Sequence, residues 1–84
     1  MKELNIKYEL TFTCDEWLIV YINRAWKSAF NKTKGTKTEE EIFENVLDDV
    51  LFDKYFVSAR EREAIIHQHS HEIYKWWKEN KENV

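Results

Sequence analysis

The sequence predicts an α+β fold in which one long N-terminal β-strand is followed by three α-helices. Residues 4–14 alternate strictly between apolar and polar side chains, which is the period of a half-buried strand. Three capping boxes follow, and each stands before an apolar run of helical period. The chain has no proline and one glycine in 84 residues, so it contains few helix breakers and favours long helices.

The predicted strand, residues 1–14, has no comparable strand elsewhere in the chain to pair with. Unpaired backbone amides and carbonyls need hydrogen-bond partners. We therefore expect a second strand to complete a small antiparallel sheet, either from a second copy of the chain, which would make the protein a homodimer, or from a different protein. The alternative is a short second strand within residues 52–57, in which Phe52 and Phe56 would lie on one side.

The first capping box, Thr13 with Glu16, predicts helix 1 over residues 15–31. The first half of this helix is apolar on nearly all sides, so it has to be covered on all sides. Either helix 3 or a partner subunit covers it, or its aromatic side chains stay exposed as an anchor for another protein. The capping box that begins at Ser58 predicts helix 3 over residues 58–80.

The second capping box, Thr38 with Glu41, predicts helix 2 over residues 38–52. Gly35 precedes it, in a loop where a turn or left-handed conformation is needed. We expect the helix to end near residue 51, because a continued helix would place Phe52 on its acidic face.

Length and composition exclude several classes of protein. A chain of 84 residues forms a single domain. The only cysteine, Cys14, excludes an internal disulfide and indicates a reducing compartment, so we expect a cytoplasmic location. The longest apolar run, residues 17–22, is far shorter than the roughly 20 residues that span a bilayer, and we expect no membrane association.

The sequence contains no recognisable catalytic or cofactor-binding pattern. It has no nucleophile paired with a base and no glycine-rich phosphate loop, so we predict that the protein is not an enzyme and binds no cofactor. His67 and His71 have the i, i+4 spacing of metal ligands on a helix. Arg60 and Lys78 share that helical face and disfavour a divalent cation, so we predict a solvated histidine pair and no metal site.

Charge is segregated along the chain. Residues 17–38 contain five basic residues and no acid, and residues 39–53 contain seven acids and no base. Complementarity to helix dipoles explains this pattern, but an acidic helix beside exposed aromatics also suits a protein partner. The primary prediction is a non-enzymatic interaction module, such as a small phage-type inhibitor that occupies the surface of a host nucleic-acid-handling protein. Its predicted contacts are Trp17, Tyr21, Glu41, Glu44 and Asp48.

An alternative comes from the order strand, helix, glycine-containing loop and helix over residues 4–52, which resembles the ribbon-helix-helix family. Residues 8–16 would form the ribbon and the start of the first helix, and residues 35–43 the start of the second. The resemblance implies a dimeric DNA-binding transcriptional regulator. The outward strand face carries two acids and the second helix begins with three glutamates, which departs from a phosphate-binding pattern. The DNA contacts would be Lys7, Thr11, Thr13, Lys32, Lys34 and Lys37.

Overall fold

The fold, in a computed structural model that describes Leu4, residues 14–33 and residues 35–83, consists of three α-helices and a final short 3-10 helix. Short loops join consecutive helices, so neighbours run antiparallel. The central helix packs against the other two. The helices are α1 (Glu16–Thr33), α2 (Glu39–Tyr55) and α3 (Ala59–Asn80), and the 3-10 helix is Lys81–Asn83.

The α+β prediction is wrong, because the described part of the chain contains no strand or sheet. Residues 5–13 of the predicted strand lie outside the described residues, but its two ends are described. The amide of Leu4 donates to the carbonyl of Cys14 at 3.1 Å, as an isolated antiparallel pair. An extended strand would hold these ends roughly 33 Å apart. The ends pair with each other and pack on the helical core, and the expected second copy stays a prediction.

The helix starts agree with the sequence prediction at two of the three capping boxes. The box between Thr38 and Glu41 is complete, with both reciprocal hydrogen bonds at 3.2 Å. The hydroxyl of Ser58 accepts from a first-turn amide of α3 at 3.3 Å. At α1 the cap differs: the carboxylate of Asp15 accepts from two first-turn amides, at 3.0 and 3.4 Å, and the predicted cap Thr13 lies outside the described residues.

The predicted end of helix 2 near residue 51 is wrong, because α2 continues to Tyr55. Phe52 therefore lies on the outer face, where 57% of it is exposed. Phe56 follows in the left-handed conformation (φ 56°) and ends the helix. The alternative second strand over residues 52–57 is likewise absent. In the preceding loop Gly35 has φ 88°, which confirms the predicted left-handed turn.

The core lies between the inner faces of the helices and is centred on Trp77. Its indole N–H donates to Oδ1 of Asn23 on α1 at 2.9 Å. Its ring contacts Trp26, with centroids 4.7 Å apart, and Phe43 on α2, with centroids 5.1 Å apart. Trp77 therefore joins α3 to both other helices. The other fully buried apolar residues in the described part of the chain are Cys14, Leu18, Ile19, Ile22, Ile42, Phe43, Leu47, Leu51, Ile65 and Ile73.

Replacing Trp77 by phenylalanine should lower the free energy of unfolding by about 2–4 kcal/mol, because it removes the donor to Asn23 and leaves a cavity. Urea denaturation followed by circular dichroism measures this loss. Trp17→Phe, at an indole that is 57% exposed, is the matched control and should change stability by less than about 0.5 kcal/mol. Equal losses in the two variants would contradict the central position of Trp77.

Burial raises the pKa of the Cys14 thiol from 9.0 to about 12. Between these values the folded chain binds the thiol proton more tightly than the unfolded chain, so stability falls as pH rises through this range. Between pH 8 and pH 10 wild type should lose about 1 kcal/mol more stability than Cys14→Ala, which has no thiol to titrate. Urea denaturation at both pH values tests this, and parallel losses in the two proteins would contradict it.

Candidate functional site

The two aromatic side chains predicted as an anchor have different environments. Trp17 is exposed, whereas Tyr21 is half-buried. The ring of Tyr21 lies between Trp17, with centroids 6.3 Å apart, and Tyr55 of α2, at 6.1 Å edge to face. The ammonium group of Lys54 lies 5.4 Å from the centre of the same ring. Tyr21 is thus used in packing α1 against α2, and Trp17 alone of this pair stays available.

The three predicted acidic contacts also separate. Glu41 belongs to the capping box, and its hydrogen bond from the Thr38 backbone lowers the pKa of its carboxyl. Glu44 and Asp48 lie at the boundary with α3. An Oε1 oxygen of Glu44 accepts from the Ser70 hydroxyl at 3.2 Å, and Asp48 forms an ion pair with Arg62. Only Glu44 and Asp48 therefore belong to one surface.

That surface is a groove between α2 and α3, which we call the α2–α3 seam. It has two parts of about 440 and 410 Å³, and Ala59 lines both of them. One part is acidic and is lined mainly by Glu44, Asp48, Glu63, Ile66, His67 and Ser70. The other part is apolar and is lined mainly by Phe52, Asp53, Phe56, Val57, Ser58 and Arg62.

The apolar end of the seam carries two exposed phenylalanines, Phe52 at 57% and Phe56 at 87%. Phe56 is also the one non-glycine residue with positive φ among the described residues. The left-handed conformation costs an L-residue about 1–2 kcal/mol, and glycine is the usual residue at this position after a helix. Phe56 therefore combines backbone strain with exposure to solvent, and such outliers cluster at binding and switch sites.

Arg62 fixes the position of the apolar end. Its Nε donates to Asp48 at 2.8 Å and its Nη1 donates to the carbonyl of Val57 at 2.8 Å. Its guanidinium carbon lies 4.9 Å from the centre of the Phe52 ring. One side chain therefore joins α2, the turn after it and α3, and it covers one side of Phe52.

Sequence reasoning missed Phe52, Phe56 and Arg62 as site residues. The sequence predicts Phe52 at the end of helix 2 and both phenylalanines in an alternative strand, not at a binding surface. The available signal was the helical period of α2 itself, which continues past residue 51 and places Phe52 among the acids. The left-handed backbone of Phe56 has no signal in the sequence, because glycine or asparagine is expected there.

The structure describes two of the six residues of the alternative DNA-binding set. Lys7, Thr11, Thr13 and Lys34 lie outside the described residues, while Lys32 and Lys37 are exposed near the end of α1. The start of α2, where the ribbon-helix-helix family anchors phosphate, carries three glutamates of its own. Two of them contact α3: Glu40 with His71 at 2.8 Å and Glu39 with Lys78 at 3.6 Å. Most of the ribbon expected from the resemblance lies outside the described residues, so the DNA-binding alternative stays a prediction.

The histidines do not form a metal centre in the described part of the chain, where no group of three or more His, Cys, Asp or Glu side chains is placed to hold a metal ion. His71 contacts Glu40 and His67 lines the acidic part of the seam. Among the helices that the structure describes, none has the combination of length and apolar character needed to cross a membrane.

Replacing Phe56 by glycine should raise the free energy of unfolding by about 1 kcal/mol, because glycine adopts positive φ without a Cβ clash. Phe56→Ala is the matched control, since it also removes the exposed ring but keeps the unfavourable backbone conformation. Thermal unfolding of the two variants and wild type measures the difference. If the glycine and alanine variants unfold at the same temperature, the conformation of Phe56 is not strained.

Comparisons of the chain with protein-family models, with curated proteins and with solved structures find no match. No family membership follows from them. The function has to be inferred from the seam and from the exposed side chains that line it.

Proposed function

We propose that this protein is a non-enzymatic interaction module that binds another protein through the α2–α3 seam. The observation that carries the proposal is the pair of exposed phenylalanines, Phe52 and Phe56, which border one groove. Aromatic side chains are enriched among the residues that dominate binding energy at interfaces. Neither ring is buried in the fold, so both are available to a partner.

The acidic part of the seam supports the same proposal. Glu44 and Asp48, two of the acids predicted from the sequence, line it together with Glu63. Contiguous apolar and charged surface of this kind is typical of protein interaction sites. Glu41 and Tyr21 are used in internal contacts, and Trp17 is outside the residues that line the seam, so the proposed contact surface moves from α1 to the junction of α2 and α3.

The most specific form of the proposal is a small phage-type inhibitor of a host nucleic-acid-handling protein. Proteins that handle nucleic acids carry basic surfaces that attract phosphate. α2 has seven acidic side chains and one basic side chain, which suits such a surface electrostatically. The single cysteine favours a reducing compartment, so the cytoplasm is the proposed location.

Affinity capture from an extract of the source organism tests the proposal. Wild-type protein, the double variant Phe52→Ser with Phe56→Asn, and Trp17→Ser are immobilised in parallel, and mass spectrometry identifies what each retains. We expect a protein that wild type and Trp17→Ser retain but that the double variant binds at least about tenfold more weakly, because two aromatic contacts are lost. Circular dichroism verifies that all three are folded. Equal retention by the double variant, or no retention by wild type, would contradict the proposal.

A further inference from the structure

We infer that the α2–α3 seam takes a cationic amphipathic segment of the partner, with one apolar side chain between Phe52 and Phe56 and one lysine or arginine beside Glu44 and Glu63. This inference rests on the proposed function and names the chemistry of its partner.

The apolar end of the seam is the reason for expecting an apolar side chain on the partner. Arg62 already covers one side of the Phe52 ring, and Val57 below the groove is buried. The remaining open space borders Phe56, which is 87% exposed. An aliphatic or aromatic side chain placed there would remove the apolar surface of both rings from water, and burial of that surface favours binding.

The acidic end of the seam is the reason for expecting a lysine or arginine on the partner. Asp48 is already paired with Arg62, but Glu44 accepts only from the neutral hydroxyl of Ser70. Among the described residues, neither Glu44 nor Glu63 takes part in an ion pair with a cation, although both line this part of the seam. A partner cation would therefore meet two carboxylates that form no ion pair with another described residue, and the net charge of α2 would attract it from a distance.

The spacing of the two ends limits the partner further. Glu44 and Phe52 are eight residues apart on α2, which corresponds to roughly 12 Å along the helix axis. A partner helix matches this separation when its apolar anchor and its cation are about seven or eight residues apart. An extended segment matches it with about four residues.

Nuclear magnetic resonance titration of the isotope-labelled full chain tests the inference with three defined peptides. The probe is an amphipathic helical peptide of leucine and lysine. In one control peptide glutamate replaces lysine, and in the other serine replaces leucine. We expect chemical-shift changes that cluster along the seam with the leucine-lysine peptide alone.

Variants of the protein identify the surface that binds. The pair Glu44→Gln with Glu63→Gln should weaken binding by about tenfold or more, as should Phe52→Ser with Phe56→Asn. The pair Glu79→Gln with Glu82→Gln changes net charge equally at exposed sites outside the seam, and it should bind like wild type.

Three results would overturn the inference. The first is that the glutamate peptide binds as tightly as the leucine-lysine peptide. The second is that the Glu79 and Glu82 variant loses as much affinity as the Glu44 and Glu63 variant. The third is that chemical shifts along the seam change with protein concentration in the absence of peptide, which would mark a second copy as the occupant. If no peptide binds while capture from the extract still depends on Phe52 and Phe56, the partner class is wrong and the proposed function stands. If no peptide binds and capture from the extract does not depend on Phe52 and Phe56, both the inference and the proposed function are wrong.

Discussion

The hydrogen bond from the Trp77 indole to Asn23, at 2.9 Å, together with the ring contacts around it, is the constraint on which the rest of the fold depends. A chain of this size buries only about 60–65% of the surface that its unfolded form exposes, so a few large side chains have to supply much of the stabilisation. Asn23 also donates to the carbonyl of Lys81 at 3.2 Å, and the Lys81 ammonium lies 4.9 Å from the centre of the Trp77 ring. The same cluster thus positions the start of the 3-10 helix.

The inner faces of the helices supply the side chains of the core. The outer face of α2 can therefore carry residues that stability does not require. Arg62 contributes both to the fold and to the outer surface of α2. Its bonds to Asp48 and to the Val57 carbonyl hold the α2–α3 turn, and its guanidinium covers one side of Phe52. The turn that the fold needs therefore also sets the orientation of the apolar end of the seam.

Local signals in the sequence predicted the helices better than they predicted the strand or the site. The capping box at Thr38 and Glu41 depends on neighbouring residues alone, so it could be read directly. The same box uses the carboxylate of Glu41 in the cap. The alternation over residues 4–14 was equally clear, but pairing of Leu4 with Cys14 is a tertiary contact that no local period reveals.

The exposure of Phe52 and Phe56 was not predicted, because large apolar residues are usually placed in the interior. That rule holds in one direction only, since much of a folded protein's surface is apolar. Phe52 on an acidic helix face is such an exception, and its exposure is readable only after α2 is known to continue to Tyr55. The acids Glu44 and Asp48 were identified correctly as neighbours on one helix, but their contacts with α3 depend on how the helices cross.

Backbone strain at Phe56 distinguishes the seam from the exposed aromatic side chain of Trp17. Trp17 lies in the first turn of α1, where a helical backbone costs nothing unusual, so its exposure alone says little about function. Phe56 keeps an unfavourable φ and is 87% exposed, so burial in the monomer does not offset the backbone cost. Glycine would end α2 equally well. A residue that lowers the stability of the isolated chain without contributing to its core favours a role in contact with another molecule, which supports the proposed binding at the seam.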